Sequence, residues 1–341
     1  MIDQLAVGKI LDKKDLIHLL STAGDDEQAY AAACARSVRA SVYGDAVYIR
    51  GLIEISNICK NDCYYCGIRR SNRTCERYRL SPETILDCCQ QGYALGFRTF
   101  VLQGGEDAYY TDAVLADIIS AIKTAFPDVA VTLSLGERSK ASYKRLFEAG
   151  ADRYLLRHET ATASHYAKLH PNTMSFQNRM TCLSILKSIG YQVGCGFMVG
   201  SPYQRIDNLV DDLLFLAEFK PDMCGIGPFI PHHATPFANA PAGSGTMTCF
   251  LLSLIRLMLP RVLLPATTAL GTLLDNGMEL GMCSGANVVM PNLSPTDTRS
   301  RYELYDNKKS TGAQSAQALN TLRESLSRAG FRVVVDRGDA K

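Results

Sequence analysis

Short apolar runs alternate with longer amphipathic stretches along most of the chain. The apolar runs are rich in Val, Ile, Leu and Phe and are bounded by turn-forming or charged residues, a pattern that predicts buried strands. The predicted strands are residues 47–56, 98–103, 130–135, 153–159, 191–200, 222–229, 261–268 and 287–291. Between them, stretches such as 81–96, 111–126, 139–150 and 175–190 predict helices, several of which begin at Ser or Thr and end at Gly.

Eight strand–helix units in succession, without a Pro- or Ser-rich linker, predict the fold class. Strands that alternate with helices form a parallel sheet, and eight such units close into a (β/α)8 barrel of the TIM type, an α/β fold. Residues 1–45 predict an N-terminal helical extension, with helices over 12–23 and 25–42. Residues 46–341 are predicted to form the barrel, whose tail from residue 311 adds a helix and a short strand as a cap.

Composition and charge exclude several classes of protein. The 341 residues are 47% hydrophobic and 21% charged, and the formal net charge of +2 gives no reason to expect nucleic acid or an anionic membrane as a partner. The most apolar stretch, residues 250–271, is interrupted by Arg and Pro, which argues against a membrane span. Twelve cysteines without an export signal indicate the reducing cytoplasm, where clustered cysteines more often bind metal than form disulfides.

One cysteine cluster follows the first predicted strand. In CKNDCYYC, Cys59, Cys63 and Cys66 have the spacing C-x3-C-x2-C and begin three residues after that strand, at the end of the barrel that carries catalytic loops. Structural zinc and most iron–sulfur clusters take four protein ligands, so the fourth ligand is open. Cys75 is a weak candidate for it, and the remaining cysteines show no ligand spacing and are expected in the core.

This motif, on the loop after the first strand of a barrel, resembles the signature of the radical S-adenosylmethionine (SAM) superfamily. The resemblance implies that the three cysteines hold one [4Fe–4S] cluster and that SAM supplies the missing ligand, after which reductive cleavage yields a 5′-deoxyadenosyl radical. It also implies a reductant such as ferredoxin or flavodoxin. The positions that match the SAM-binding residues of the superfamily are Tyr65, Gln103, Gly104, Gly105, Ser134, Glu159, Arg179 and Met198.

A narrower resemblance covers nearly the whole chain. Residues 59–72, 102–107, 154–161, 227–232, 264–272 and 287–295 are similar, in this order, to segments of the [FeFe]-hydrogenase maturase branch known as HydE. This resemblance implies a step in assembly of the di-iron cofactor, with an iron–CO–CN–cysteine complex as substrate and other hydrogenase maturases as partners. Some HydE proteins carry a second cysteine trio near the C-terminal end. Residues 300–317 contain no cysteine, so a single cluster is predicted.

A small-molecule or organometallic substrate is expected inside the barrel. Arginines on predicted strands are costly to bury unless they meet anions, so Arg50, Arg153 and Arg157 suggest an anionic ligand, with internal ion pairs as the alternative. The further substrate candidates at strand ends are Thr267, Thr268, Met290 and Tyr302, followed by Tyr305.

Two other functions remain open on the sequence alone. One is a methylornithine synthase-like mutase that acts on a small amino acid, since that branch shares part of the motif after the cysteines. The other is a non-catalytic iron–sulfur carrier or zinc protein built on the same three cysteines. Glu159 and Arg179 distinguish the second, because a scaffold has no use for a ribose acceptor and a carboxylate clamp.

Overall fold

Eleven strands are assigned in the part of the chain that the structure, a computed structural model, describes: residues 1–309 and 315–341. They are β1 Ala46–Ile49, β2 Gly51–Ser56, β3 Thr99–Gly104, β4 Ala130–Ser134, β5 Arg153–Leu155, β6 Gln192–Cys195, β7 Met198–Val199, β8 Met223–Cys224, β9 Gly227–Pro228, β10 Val288–Val289 and β11 Arg332–Val334. Seven of the eight predicted strands are thus confirmed as strands, and the eighth is discussed below.

The strands close into a parallel barrel. Six strands pair in the order β2–β3–β4–β5–β6–β8. The circuit is completed by single bridges from Met223 to Leu263 and from Pro265 to Val288, after which β10 pairs with β1. The predicted strand 261–268 is present only as these bridges. Pro265 has no N–H to donate, which explains why a regular strand does not form there.

Three predicted strands are each broken in the middle. Residues 47–56 form β1 and β2, on either side of Arg50. Residues 191–200 form β6 and β7, and residues 222–229 form β8 and β9, with Gly196 and Gly225 at the breaks. Gly196 has a φ of +151°, and a Cβ on it would lie 2.0 Å from the carbonyl oxygen of Gly225. The close approach of the two backbones requires glycine, and it turns the ends of both strands toward the mouth of the barrel.

The helices surround the barrel. They are α1 Ile2–Ala6, α2 Lys13–Thr22, α3 Asp25–Tyr43, α4 Pro82–Ala94, α5 Asp112–Ala125, α6 Lys140–Glu148, α7 Ala163–Leu169, α8 Phe176–Ile189, α9 Ile206–Phe219, α10 Gly245–Met258, α11 Thr268–Leu273, α12 Gly277–Cys283, α13 Thr296–Arg299 and α14 Ser315–Arg328. Each of α4, α5, α6 and α8 begins after a Ser or Thr whose side-chain oxygen accepts a backbone N–H, as predicted. Residues 311–314 of the predicted tail lie outside the described residues.

The N-terminal helices pack on the outside of the barrel. The contacts join α1 and α3 to α10, and α2 to α9. Arg39 of α3 is 1% exposed and donates to the carbonyls of Gly44, Ala46 and Ala286, which fixes the helix to the start of β1. A division of the chain at residue 45 stays a prediction. Among the described residues, no helix is both long and apolar enough to span a bilayer.

The last residues close the amino-terminal end of the barrel, called the floor here. Strand β11 pairs with the first residues of β1. The following residues, 336–340, reach inward, where Gly338 lies against the ring of Tyr48 and Arg337 and Asp339 bind side chains of the strands. The floor is therefore filled by the chain itself, and the open end is the one at which the strands terminate.

Candidate active site

A cavity of about 300 Å³ lies at the carboxyl ends of the strands, where barrel enzymes carry their chemistry. The structure brings most of the predicted site residues together in its wall. Those in the wall are Cys59, Cys63, Cys66, Tyr65, Gln103, Gly104, Gly105, Ser134, Arg157, Glu159, Arg179, Met198, Thr267, Tyr302 and Tyr305. Residues from all around the barrel therefore face one space.

The cysteine loop, residues 57–79, is shaped by its own side chains. The guanidinium of Arg77 donates to the carbonyls of Asn57, Ile68, Arg69 and Asn72, at 2.5–2.9 Å. Between the first two cysteines, Asp62 accepts from Arg69 and Ser71. These two side chains satisfy the loop's backbone and hold the three cysteines on one wall. Neither Arg77 nor Asp62 was predicted as a site residue, because single charged residues in a basic stretch of sequence do not indicate a binding role.

The three thiols are half-buried and have raised pKa values. Burial, followed by the charge of Cys59, raises the pKa of Cys63 to about 12, and burial also raises the pKa of Cys59 and Cys66. Thiolates are therefore disfavoured without a bound cation, as in a metal site rather than a site for a cysteine nucleophile. Among the described residues, the three sulfurs do not all lie within 4.8 Å of one another. Ligands of one zinc ion lie closer together, so this arrangement suits a cluster whose irons each take one cysteine better than a single ion.

The glycine pair after β3 adjoins the cysteine loop. A Cβ on Gly105 would lie 2.2 Å from the carbonyl oxygen of Ile58 and 2.7 Å from Cβ of Cys59. The next residue, Glu106, donates its backbone N–H to the sulfur of Cys59 at 3.4 Å. The absence of a side chain at Gly105 thus lets two loops meet, and the same backbone stays accessible from the cavity.

Opposite the cysteines, several buried polar atoms have no hydrogen-bond partner. They are Nε and Nη2 of Arg157, Oε2 of Glu159 and Oγ1 of Thr267. Arg157 and Glu159 approach to 3.3 Å without hydrogen-bond alignment. Glu159 has a φ of +67°, a conformation that a non-glycine residue rarely adopts and that is common at ligand sites. Since buried polar groups are almost always paired, this wall fits a polar ligand.

Arg179 reaches the cavity from α8 but is already partly engaged. Its Nε donates to Glu137 at 2.6 Å and its Nη1 donates to the carbonyl of Arg157 at 2.9 Å. Glu137 was not predicted as a site residue. It fixes the guanidinium beside the cavity, and its charge balances that of Arg179 when no anion is bound.

Two neutral histidines brace the site. Nδ1 of His158 accepts from the N–H of Gly196, so its Nε2 carries the proton and donates to Asp212 at 3.2 Å. Nδ1 of His170 donates to the carbonyl of Tyr166, so its Nε2 accepts from the Tyr65 hydroxyl at 3.0 Å. Burial lowers the pKa of both to about 3. His158 thereby joins Gly196 to Asp212 of α9, and His170 holds the hydroxyl of Tyr65. Single histidines give no sequence pattern from which these contacts could be predicted.

A strap formed by residues 300–309 crosses the mouth of the barrel and adds Tyr302, Leu304 and Tyr305 to the cavity wall. Its main anchor is an ion pair of 2.5 Å between Lys308 and Glu54, whose side chains are 9% and 1% exposed. The N–H of Gly67, next to Cys66, donates to Leu304. A Cβ on Gly67 would lie 2.2 Å from the carbonyl oxygen of Glu303. The strap therefore touches both the cysteine loop and the cavity.

The paired histidines after β9 hold the strap rather than form a metal site. His233 donates from its backbone N–H and from Nδ1 to Asp306, at 2.8 and 2.7 Å. Nδ1 of His232 accepts from the N–H of Ala234, so its Nε2 carries a proton and has no lone pair for an ion. The two rings stack with centroids 4.3 Å apart. One ligand atom from each ring and from Asp306 lies within 4.8 Å of the others, but Nδ1 of both rings is already used in a hydrogen bond.

Four predicted substrate residues do not line this cavity, and those predictions are corrected here. Arg153 is saturated on the floor by Asp339, Thr99, Gln192 and the carbonyl of Arg337. Arg50 lies near it, between the sulfur of Met223 and the carbonyl of Gly338.

Arg153 and Arg157 point in the same direction from one strand but differ in height along the barrel, because four residues span the distance from floor to mouth, and only Arg157 lines the cavity. Thr268 begins α11 behind the wall. Met290 packs with Tyr48, Met223 and Val288.

A parallel barrel with three cysteines on the loop after its first strand, facing glycines, a carboxylate and arginines, defines a radical SAM enzyme. A family model described as the radical SAM superfamily matches residues 53–216. The chain is 51% identical over 274 residues to the [FeFe] hydrogenase maturase subunit HydE of Thermotoga maritima, a match that spans 80% of this chain and 78% of that protein. The chain belongs to the HydE family within the radical SAM superfamily.

Solved structures support the same fold. Methylornithine synthase (PylB) aligns with a TM-score of 0.86 and 27% identity, covering 98% of this chain and 97% of that one. The [FeFe]-hydrogenase maturase HydG from Carboxydothermus hydrogenoformans aligns with a TM-score of 0.82 and 20% identity, covering 98% and 78%. The (β/α)8 barrel predicted from the sequence is thereby confirmed.

Proposed function

We propose that Cys59, Cys63 and Cys66 hold one [4Fe–4S] cluster and that SAM binds beside it as the ligand that completes the cluster. The observation that carries this proposal is that the three thiols and several unpartnered polar atoms line the same cavity. One wall has three thiols whose raised pKa values disfavour ionisation without a cation, and another part of the wall has polar atoms without hydrogen-bond partners. When bound, the cluster supplies one electron to SAM, which cleaves to methionine and a 5′-deoxyadenosyl radical.

The residues of this chain bind and orient SAM. Glu159 offers the unpartnered Oε2 as an acceptor for ribose hydroxyls. Arg179, fixed by Glu137, would bind the carboxylate of SAM. The backbone of Gly104 and Gly105, which lines the cavity, would bind the amino group. The remaining contacts proposed for SAM are Tyr65, Gln103, Ser134 and Met198, which all line the cavity.

The substrate would occupy the part of the cavity bounded by Arg157, Thr267, Tyr302 and Tyr305. A cation and hydroxyl groups in a mainly apolar enclosure suit a small anion that also has apolar surface. We propose an iron–CO–CN–cysteine complex, processed as a step in assembly of the [FeFe]-hydrogenase di-iron cofactor. The identity of 51% to a HydE protein supports this substrate over others.

The reaction needs partners. We propose ferredoxin or flavodoxin as the reductant, and other hydrogenase maturases as the proteins that supply the substrate and accept the product. We also propose a cytoplasmic location. All twelve cysteines are free thiols, which suits a reducing compartment.

A methylornithine synthase-like mutase is the second candidate, favoured by the likeness to the PylB structure. That protein is 27% identical to this chain, against 51% for HydE, so hydrogenase maturation leads. A carrier of zinc or of an inert cluster has less support, because it would leave the polar atoms of Arg157, Glu159 and Thr267 without a purpose.

The first experiment is anaerobic. The protein is reconstituted with iron and sulfide, reduced with dithionite, and followed by electron paramagnetic resonance with and without SAM while 5′-deoxyadenosine is assayed. We expect a reduced [4Fe–4S] signal that shifts with SAM. In Cys63→Ala the signal and the deoxyadenosine should be lost, whereas Cys34→Ala, a cysteine of α3, should behave as the wild type. Bound zinc, or a cluster indifferent to SAM, would contradict the proposal.

The second experiment separates the substrates. The reconstituted enzyme is added to an in vitro maturation mixture that lacks its own HydE, and hydrogenase activity is measured. In parallel, the enzyme is incubated with SAM and candidate amino acids, and 3-methylornithine is sought by mass spectrometry. Hydrogenase activity that depends on Cys63 supports the first function. Formation of 3-methylornithine without hydrogenase activity would instead establish the mutase.

A further inference from the structure

Tyr203 adopts a backbone conformation that is unfavourable for its residue type. Its φ is +65°, and its side chain is 62% exposed. A bulky residue in the left-handed region is a true outlier that buried contacts normally have to stabilise. Here the turn is fixed from beneath by Gln204, which accepts from the N–H of Gly200 and donates to the carbonyl of Met198. The turn thus holds an exposed ring in a fixed place.

That ring connects to the cysteine loop through other aromatic residues. The rings of Tyr203 and Phe237 have centroids 6.2 Å apart, and Phe237 lies 6.2 Å from Tyr64. Tyr64 directly follows Cys63, and its N–H donates to the carbonyl of Leu169. Two ring-to-ring steps therefore lead from the surface to the proposed cluster. We call Tyr64, Lys168, Tyr203 and Phe237 the Tyr203 patch.

The surroundings of the patch are cationic. The ammonium of Lys168 lies 5.3 Å from the centroid of the Tyr203 ring. Lys168 and Arg205, which is two residues from Tyr203, are exposed and have no carboxylate within ion-pair distance in the described part of the chain. The cysteine loop has six cations and two carboxylates, and Glu106 and Asp107 outside the loop pair with Lys60 and Arg79, so the loop keeps a positive excess. Along the chain, the carboxylate nearest to Tyr203 is that of Asp207, four residues further on.

We propose that the Tyr203 patch is the docking surface for an acidic one-electron carrier protein. Aromatic side chains are enriched at the centres of protein interfaces, and complementary charges around them accelerate encounter. A carrier on this patch would lie beside the loop that holds the cluster. One electron passes from the reduced carrier to the oxidised cluster, and no bond forms or breaks. The proposal rests on the proposed function, since it assumes a cluster on the three cysteines.

The test compares two reductants. In anaerobic stopped-flow measurements, reduction of the reconstituted cluster by reduced flavodoxin should slow at least about tenfold in Lys168→Glu and lose most of its salt dependence. Reduction by dithionite, which needs no docking, should stay within about twofold of the wild type. Arg328→Glu, at the end of α14 on the floor side, is the matched charge reversal and should leave both rates unchanged.

Tyr203→Gly provides a readout that a structural role would not give. Glycine relieves the left-handed strain, so Tm should rise by about 1–3 °C while reduction by flavodoxin slows. Binding of flavodoxin to the iron-free protein, measured by calorimetry, tests docking without any cluster. If Lys168→Glu and Tyr203→Gly bind flavodoxin as tightly as the wild type, or if dithionite reduction slows equally, the docking proposal is wrong. If the variants bind flavodoxin more weakly than the wild type but the wild type cannot be reconstituted with a cluster, the proposed function is refuted and the docking surface is not.

Discussion

Arg153 and Arg157 lie four residues apart at one strand of the barrel and have opposite surroundings. On the floor, Arg153 is completely buried and donates from all three nitrogens, including a 2.6 Å contact to Asp339 of the C-terminal tail. At the mouth, Arg157 leaves Nε and Nη2 without hydrogen bonds beside the unpartnered oxygen of Glu159. A buried arginine alone does not indicate a ligand site. The distinguishing property is whether the protein already satisfies it.

The comparison predicts that the floor controls stability and the mouth controls binding. The largest effect is expected for Arg153→Met, which removes four hydrogen bonds and leaves Asp339 with only Arg337 and Gln192 as partners among the described residues. The free energy of unfolding should fall by about 3 kcal/mol, at the low end for a broken buried pair because Asp339 keeps 40% of its side chain exposed. Urea unfolding of the iron-free protein measures this.

The matched control is Arg332→Met, which breaks the exposed pair with Asp45 and should change the free energy of unfolding by less than about 0.5 kcal/mol. SAM affinity of the reconstituted Arg153→Met protein should equal that of the wild type. A variant that unfolds at the wild-type urea concentration but binds SAM weakly would show that Arg153 belongs to the ligand site after all.

At the mouth, the second prediction concerns Glu159→Gln. Loss of a charged acceptor for a ligand hydroxyl should weaken SAM binding about 10–100-fold, since a hydrogen bond to a charged group contributes about 1.5–3 kcal/mol. Stability should hardly change, because Oε2 accepts no hydrogen bond and its ion pair with Arg157 is long and partly exposed. Calorimetry with SAM and the reconstituted protein measures the affinity. Glu148→Gln, at an exposed site on α6, is the control, and equal affinities in all three proteins would count against the ribose role of Glu159.

A third, smaller effect tests the unpartnered atoms directly. Thr267→Val removes a buried hydroxyl that bonds to nothing, so the free energy of unfolding should rise by about 1 kcal/mol. Thr248→Val is the reverse case, because its hydroxyl donates to the carbonyl of Ser244 at 2.7 Å, and this variant should be destabilised by about the same amount. Thermal or urea unfolding of the two variants distinguishes them. If both lose stability, the hydroxyl of Thr267 has a structural partner.

The sequence predicted the barrel because each strand has a local pattern. It indicated the cysteines by their spacing, and the glycines and Glu159 by their resemblance to the radical SAM superfamily. The sequence could not show which of the three arginines faces a ligand and which is satisfied by the protein itself. Arg153 is satisfied by Asp339, which lies 186 residues further along the chain, and no local pattern reports such a contact. The same holds for the pair of Glu54 with Lys308 and for the clamp by Arg77. Residues whose role depends on one distant partner emerge only with the fold.

The smallest predicted effect is the pH dependence of the floor. Burial by itself raises the pKa of Asp339, but Arg153 and then Arg337 outweigh it and lower the pKa from 3.8 to about 2. The ion pair therefore stabilises the protein fully above pH 4, and its contribution is lost as pH falls from about 4 to about 2. Because Asp339 is partly exposed, the contribution lost should be no more than about 1 kcal/mol.

The free energy of unfolding of the iron-free wild type, measured by urea titration at several pH values, should therefore fall more steeply over this range than that of Asp339→Asn. Arg153→Met should remove most of the same difference, since it removes the main cause of the lowered pKa. Equal slopes in the wild type and Asp339→Asn would mean that the tail does not hold Arg153 in solution. Arg153 would then be free to face the interior of the barrel, and the contrast with Arg157 would fail.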